Sequence, residues 1–142
     1  MILNESTYRE VINGYTRMEW QPLLDLIPEI EGRSGFGEVI PGRDIGEGVT
    51  TLPYMAYDEI IGRFTALCYE IPVMVNFDWG AWKEGEKILR DPGFDYDLLD
   101  IPDKCRLITA IIRADRFSEG YLGWAFESGV VLRLLKSIEK GL

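Results

Sequence analysis

The chain has 142 residues, of which 46% are hydrophobic, 12% aromatic and 27% charged. These are the proportions of one globular domain over residues 1–142, large enough to bury its own core and unlike a disordered or membrane-spanning chain. The formal net charge of −9 opposes non-specific binding to nucleic acid or an anionic membrane, and the absence of histidine removes Ser–His and Cys–His pairs, the common zinc sites and the usual general base.

The pattern predicts seven short helices and a little β-structure. A first helix is expected over 4–14, with Thr7 and Glu10 as a capping-box pair and Tyr8, Val11, Ile12 and Tyr15 at i, i+3, i+4, i+7. Thr16 and Glu19 repeat the capping signal before a second helix, in which Pro22 falls in a tolerant first turn and Pro28 marks the end. A glycine-rich stretch, GRSGFGEVIPGRDIGEG, follows. It reads as a hairpin between Glu38–Ile40 and Val49–Tyr57, looped from Pro41 to Gly48, with neither a nucleotide-loop nor an EF-hand spacing.

Asp58 caps the third helix, whose apolar side holds Ile60, Ile61, Phe64, Leu67 and Cys68. IPVMVNF, residues 71–77, is a candidate third strand and the longest uncharged apolar run, far too short to span a bilayer. Asp78 caps a fourth helix that ends at Pro92–Gly93, and Asp100 with Asp103 caps a fifth running to about Arg116. Ser118 is the expected cap of a sixth, stopping at Gly129, and the seventh runs from Val130 to Lys140. The fold class is therefore α+β: one mostly helical domain with a hairpin or small three-stranded sheet in its first half.

The start, MILNESTYREV, lacks the basic and apolar segments of a signal peptide, and Cys68 and Cys105 fit neither a metal pair nor a disulfide framework. The expected setting is reduced and cytoplasmic. Charge is uneven: residues 1–100 carry 8 Lys/Arg against 19 Asp/Glu, whereas 101–142 carry 7 against 5.

Three groups of residues are candidates for function. On the fifth helix Arg106, Thr109, Arg113 and Arg116 share roughly an 80° arc, and on the seventh Arg133, Lys136 and Lys140 lie outside. They form either a basic partner surface or ordinary solvated faces. On the sixth, Gly120 and Gly123 clear a face that also carries Glu119 and Glu127, the two acids about 12 Å apart along the axis. That exceeds the roughly 5–9.5 Å carboxyl separation of glycosidase pairs. Something approaches this face closely, and a carboxylate–arginine packing contact competes with a site. Last, Trp79 and Trp82 are i, i+3 neighbours that, with Trp124, Tyr121 and Trp20, either wall a pocket or fill the core.

FDWGAW followed by RADRFSEGYLGWAFESGVVLRLLK resembles the DUF6508 family, uncharacterised bacterial and archaeal proteins with no assigned activity. Phe77, Asp78, Trp79 and Trp82 match its first motif. Arg113, Arg116, Phe117, Glu119, Gly120 and Leu122 match the second, and Phe126, Glu127 and Gly129 the third. TTLPYMAY resembles its upstream strand, and the likeness covers roughly residues 20–140. The chain departs in lacking histidines that some relatives carry, and in having Ala114 where lysine is frequent. The resemblance implies an identity without a reaction.

The functional expectation is a small cytoplasmic binding or interaction module, acting on a protein partner or on a second copy through Arg106, Arg113, Arg116, Arg133, Lys136 and the Trp79/Trp82 wall, without metal or cofactor. One alternative is a hydrolase or lyase using Glu119, Glu127 and Asp78 as acid and base, with Arg116 stabilising an anion. Another is nucleic-acid association through the basic helices. The lack of any nucleophile, metal or nucleotide motif tips the balance towards binding.

Overall fold

The computed structural model describes residues 2–142 and is an α+β fold dominated by helices. Strand β1 (Leu3–Asn4) leads into α1 (Tyr8–Asn13), α2 (Arg17–Leu24) and α3 (Leu26–Glu31). The first helix starts later than expected, because Leu3 and Asn4 pair in parallel with Val75 and Asn76, which form β6. Thr7 is the residue before α1 but its side chain makes no cap, whereas Thr16 and Glu19 do form the capping box at α2. Pro22 lies well inside α2 rather than in its first turn, and the carbonyl it leaves without a donor belongs to the exposed Met18. Pro28 does not end a helix: it sits third in α3, where its missing N–H would have had no partner anyway. Asp25 alone separates α2 from α3, so the seven expected helices correspond to eight assigned ones among the described residues.

The hairpin is real but longer and divided. β2 (Gly37–Ile40) pairs antiparallel with β5 (Tyr54–Tyr57), and beyond them β3 (Asp44–Gly46) pairs with β4 (Val49–Thr50). Glu47 and Gly48, at φ 53° and 75°, make the tip between Gly46 and Val49; two successive positive φ values are what a tight twisted hairpin turn requires. The 71–77 segment contributes only β6 (Val75–Asn76), which joins β1 and not the hairpin.

Helix α4 (Glu59–Glu70) is capped by Asp58, whose carboxylate accepts from the Ile60 N–H at 3.0 Å. Asp78 caps a single 3-10 turn (Trp79–Ala81) rather than the following helix, α5, which is confined to Lys83–Arg90. Helix α6 (Ile101–Ala114) is the central element, capped by Asp100 as expected but ending two residues early. Leu107, Ile108 and Ile111 are buried along it, and Thr109 on the same helix ties it to the sheet. The Thr109 hydroxyl donates to the Cys105 carbonyl at 2.8 Å and accepts from the Val75 N–H at 3.0 Å, so a buried polar group is fully used. Helix α8 (Val130–Lys140) lies as expected, with Val131, Leu134, Leu135 and Ile138 buried against one contiguous core that includes Ile12, Trp20, Ile61 and Phe64.

The sixth expected helix is the clearest correction. Helix α7 spans only Tyr121–Glu127, and the residue before it is Gly120 at φ 93°, not Ser118. The side chain that caps it is Asp115, whose Oδ1 accepts from the Leu122 N–H at 3.1 Å. Among the described residues no helix is long and apolar enough to cross a membrane.

Three surface carboxylates make the fold acid-sensitive. Glu19 is held below its ordinary value by the Thr16 hydroxyl, Glu29 by Arg63, and Asp97 by Ser137 and then Lys140. A lowered folded-state pKa means that the unfolded chain takes up protons first as pH falls. The stabilisation is thus complete above the ordinary values of 4.5 and 3.8 and is lost below them. Denaturation midpoints are expected to stay level from about pH 7 to about pH 5 and to decline below about pH 4.5. A midpoint unchanged down to about pH 3 would show that these contacts carry no stability.

Candidate ligand pocket

The two glutamates of the glycine-cleared face do not meet Arg116. Glu127 Oε1 accepts from the Phe36 N–H at 2.9 Å, and Glu119 Oε1 accepts from the Met55 N–H at 2.7 Å. Both therefore grip the hairpin, one at its base and one at the outer edge of β5. A carboxylate on an otherwise open strand edge satisfies a free donor and blunts that edge. The face cleared by Gly120 and Gly123 is filled by the same hairpin: a Cβ on Gly123 would stand 2.9 Å from Tyr57 Cε1, and one on Gly120 would stand 3.7 Å from Met55 Cγ. The Tyr57 hydroxyl donates to Asp115 Oδ1 at 2.6 Å. Burial, then that hydrogen bond, push Tyr57 up to about 12. Asp115, which no sequence pattern singles out, thus joins hairpin and helix through one oxygen. Its signal is an acid seven residues before Leu122, but its role depends on a tyrosine remote in the chain.

The basic stripes are mostly spent within the molecule. Arg106 pairs with Asp103 at 3.2 Å and lies over the rings of Trp82 (4.0 Å) and Phe77 (4.8 Å). Arg133 donates to the Phe94 carbonyl and covers Tyr96, Lys136 pairs with Glu31, and Lys140 with Asp97. Arg113 and Arg116 form no ion pair among the described residues. Arg116 lies instead beside a shallow cleft next to Tyr57 and Leu122.

The tryptophans behave differently. Trp20 is fully buried in the core, edge-on to Tyr15 at 6.0 Å, and does not line the pocket formed by the other three. Trp79, Trp82 and Trp124, with Tyr121, converge on a pocket of about 580 Å³ between the 3-10 turn, α5, α6 and α7. Each wall has a local cause. Asp78 accepts from the Ala81 N–H and fixes the turn that presents Trp79, whose ring packs on Phe117 at 6.0 Å. Trp82 lies against Gly85, where a Cβ would overlap its ring, and also packs with Phe77 at 5.7 Å and Arg106. Tyr121 and Trp124 are tilted neighbours at 5.2 Å on α7. Small side chains, Ala110 and Ala114 of α6, leave the floor open.

The rim belongs to α5. Glu86 forms an ion pair with Arg90 at 2.7 Å and faces Lys83 at 3.7 Å. Burial raises the Tyr121 hydroxyl above its ordinary value, with Arg90 pulling it back and Glu86 adding to the rise. It remains a neutral donor near neutral pH. Asp78, Arg116, Glu119 and Glu127 are not among the pocket's lining residues. The volume is that of a small-molecule site, and its apolar walls with few polar groups fit a binding cleft.

The model of a family of unknown function, DUF6508, matches residues 15–141. No curated protein and no solved structure matches the chain.

Proposed function

The chain belongs to DUF6508, a family of unknown function, and from its own geometry we propose that it is a small-molecule binding module whose site is the aromatic pocket. The observation that carries this reading is convergence. Three of the four tryptophans, together with Tyr121, wall one half-open cavity at the edge of the core, although they come from two remote segments, the 3-10 turn with the residue that follows it and α7. Large aromatics left at a surface concavity lose the burial energy that the core would return, so their position favours a task there. We propose a reducing, cytoplasmic setting for the protein as well. Cys68 and Cys105 are free and fully buried, and burial raises both thiols, which suits a chain that uses neither for chemistry.

Calorimetric titration of the full chain with naphthalenemethanol, a neutral apolar probe, tests the pocket. Saturable one-site binding is expected, with Trp124→Ala weakening it about tenfold or more. Binding that is undiminished in Trp124→Ala, or no binding at all, would contradict the assignment.

A further inference from the structure

The charge at the rim narrows the class of ligand, provided that the aromatic pocket is the binding site. Aromatic faces alone would suit an organic cation, because a ring quadrupole attracts positive charge. The charged groups around this pocket oppose that choice. Lys83 and Arg90 supply two positive charges, and the single carboxylate, Glu86, is already engaged by both. An entering ammonium would meet a net positive rim and a neutralised acid. An entering anion would meet Arg90, which gives only one terminal nitrogen to Glu86 and leaves the rest of its fork without a protein partner among the described residues. Tyr121 adds a hydroxyl that has no hydrogen-bond partner among the described residues. A guanidinium beside a phenol is a donor pair matched to a carboxylate.

We infer that the pocket takes a small aromatic anion, its ring body against Trp79, Trp82 and Trp124 and its carboxylate at the rim between Arg90 and Tyr121. The chain's overall charge of −9 works against any anion at long range. At about 0.15 M salt that field is screened beyond about 8 Å, so the local rim decides. Displacement of Glu86 from Arg90 costs little, since both side chains are substantially exposed and such pairs contribute weakly.

Three probes with one naphthalene body separate the possibilities: naphthoate, naphthalenemethanol and naphthylmethyl-trimethylammonium. Each is titrated into the full chain by calorimetry at about 0.15 M salt. Naphthoate is expected to bind about tenfold tighter than the ammonium probe, and Arg90→Gln to bring the two within about threefold, with naphthoate losing more affinity than naphthalenemethanol. Equal binding of the two charged probes, or preference for the ammonium, overturns the anion assignment with the pocket intact. A preference for naphthoate that survives Arg90→Gln removes Arg90 from it. If none of the three binds, the pocket is not the binding site, and the anion assignment fails with it.

Discussion

Alanine in place of Gly85 is expected to destabilise the protein and to abolish ligand binding, although alanine is the better helix former. The exchange contributes about 1 kcal/mol in favour of α5 through propensity. Against it, the new Cβ would overlap the Trp82 ring, and overpacking of this kind costs about 1–3 kcal/mol. The ring is also packed by Phe77 and the Arg106 guanidinium, which would have to move with it. Either α5 shifts or Trp82 leaves its place, and both outcomes deform the pocket wall. Denaturation midpoints and naphthoate titration of Gly85→Ala check this together. A variant as stable as the parent with unchanged affinity would show that Trp82 is not fixed by Gly85.

Loss of the Asp115 carboxylate is expected to cost about 3 kcal/mol, more than any other single contact between hairpin and body. Its Oδ1 accepts from the Tyr57 hydroxyl and the Leu122 N–H, and removing it leaves two donors short of a partner in a partly buried place. Asp115→Ala therefore loosens the start of α7 and the root of β5 at once. Tyr57→Phe removes only one of the two bonds and is expected to cost about 1 kcal/mol. The order of the two variants in urea denaturation is the check, since equal losses would mean that the Leu122 contact contributes nothing. The tyrosine also has an alkaline signature. Its folded-state pKa lies above the ordinary value of 10.0, so the stabilisation is complete below that value and is lost as pH rises through about 12. Asp115→Ala should reduce that alkaline dependence without abolishing it, because burial is the larger cause of the raised value.

Where pattern and structure agree, the information is local. Helix α8 and the body of α6 follow from apolar residues at helical spacing, and Asp58, Asp100 and the Thr16/Glu19 pair cap as their positions imply. Where they part, the deciding contact comes from far along the chain. Asn4 opens a plausible helix until Val75 and Asn76 offer it, with Leu3, a strand. Ser118 is a good local cap, but the hairpin's Tyr57 fixes Asp115 beside the start of α7, and Asp115 takes the role. The glycines between Glu119 and Glu127 do mark a closely approached face, yet only the fold reveals that the visitor is the chain's own hairpin. Among the aromatics, the spacing of Trp79 and Trp82 makes them neighbours but leaves open whether they, Tyr121 and Trp124 wall a pocket or fill the core. Nothing in their pattern separates them from Trp20, whose helix happens to face inward. Arg106 illustrates the same limit, since a cation on an outward stripe looks available until Trp82 and Asp103 are placed beside it.

The indole N–H resonances of the chain's four tryptophans test the central claim most directly, because Trp20 is a built-in control. In a titration of isotopically labelled protein with naphthoate, the signals of Trp79, Trp82 and Trp124 are expected to move together along one saturation curve while that of Trp20 stays in place. Movement of all four by similar amounts, or of none at saturating probe, would contradict the assignment of the aromatic pocket as the binding site.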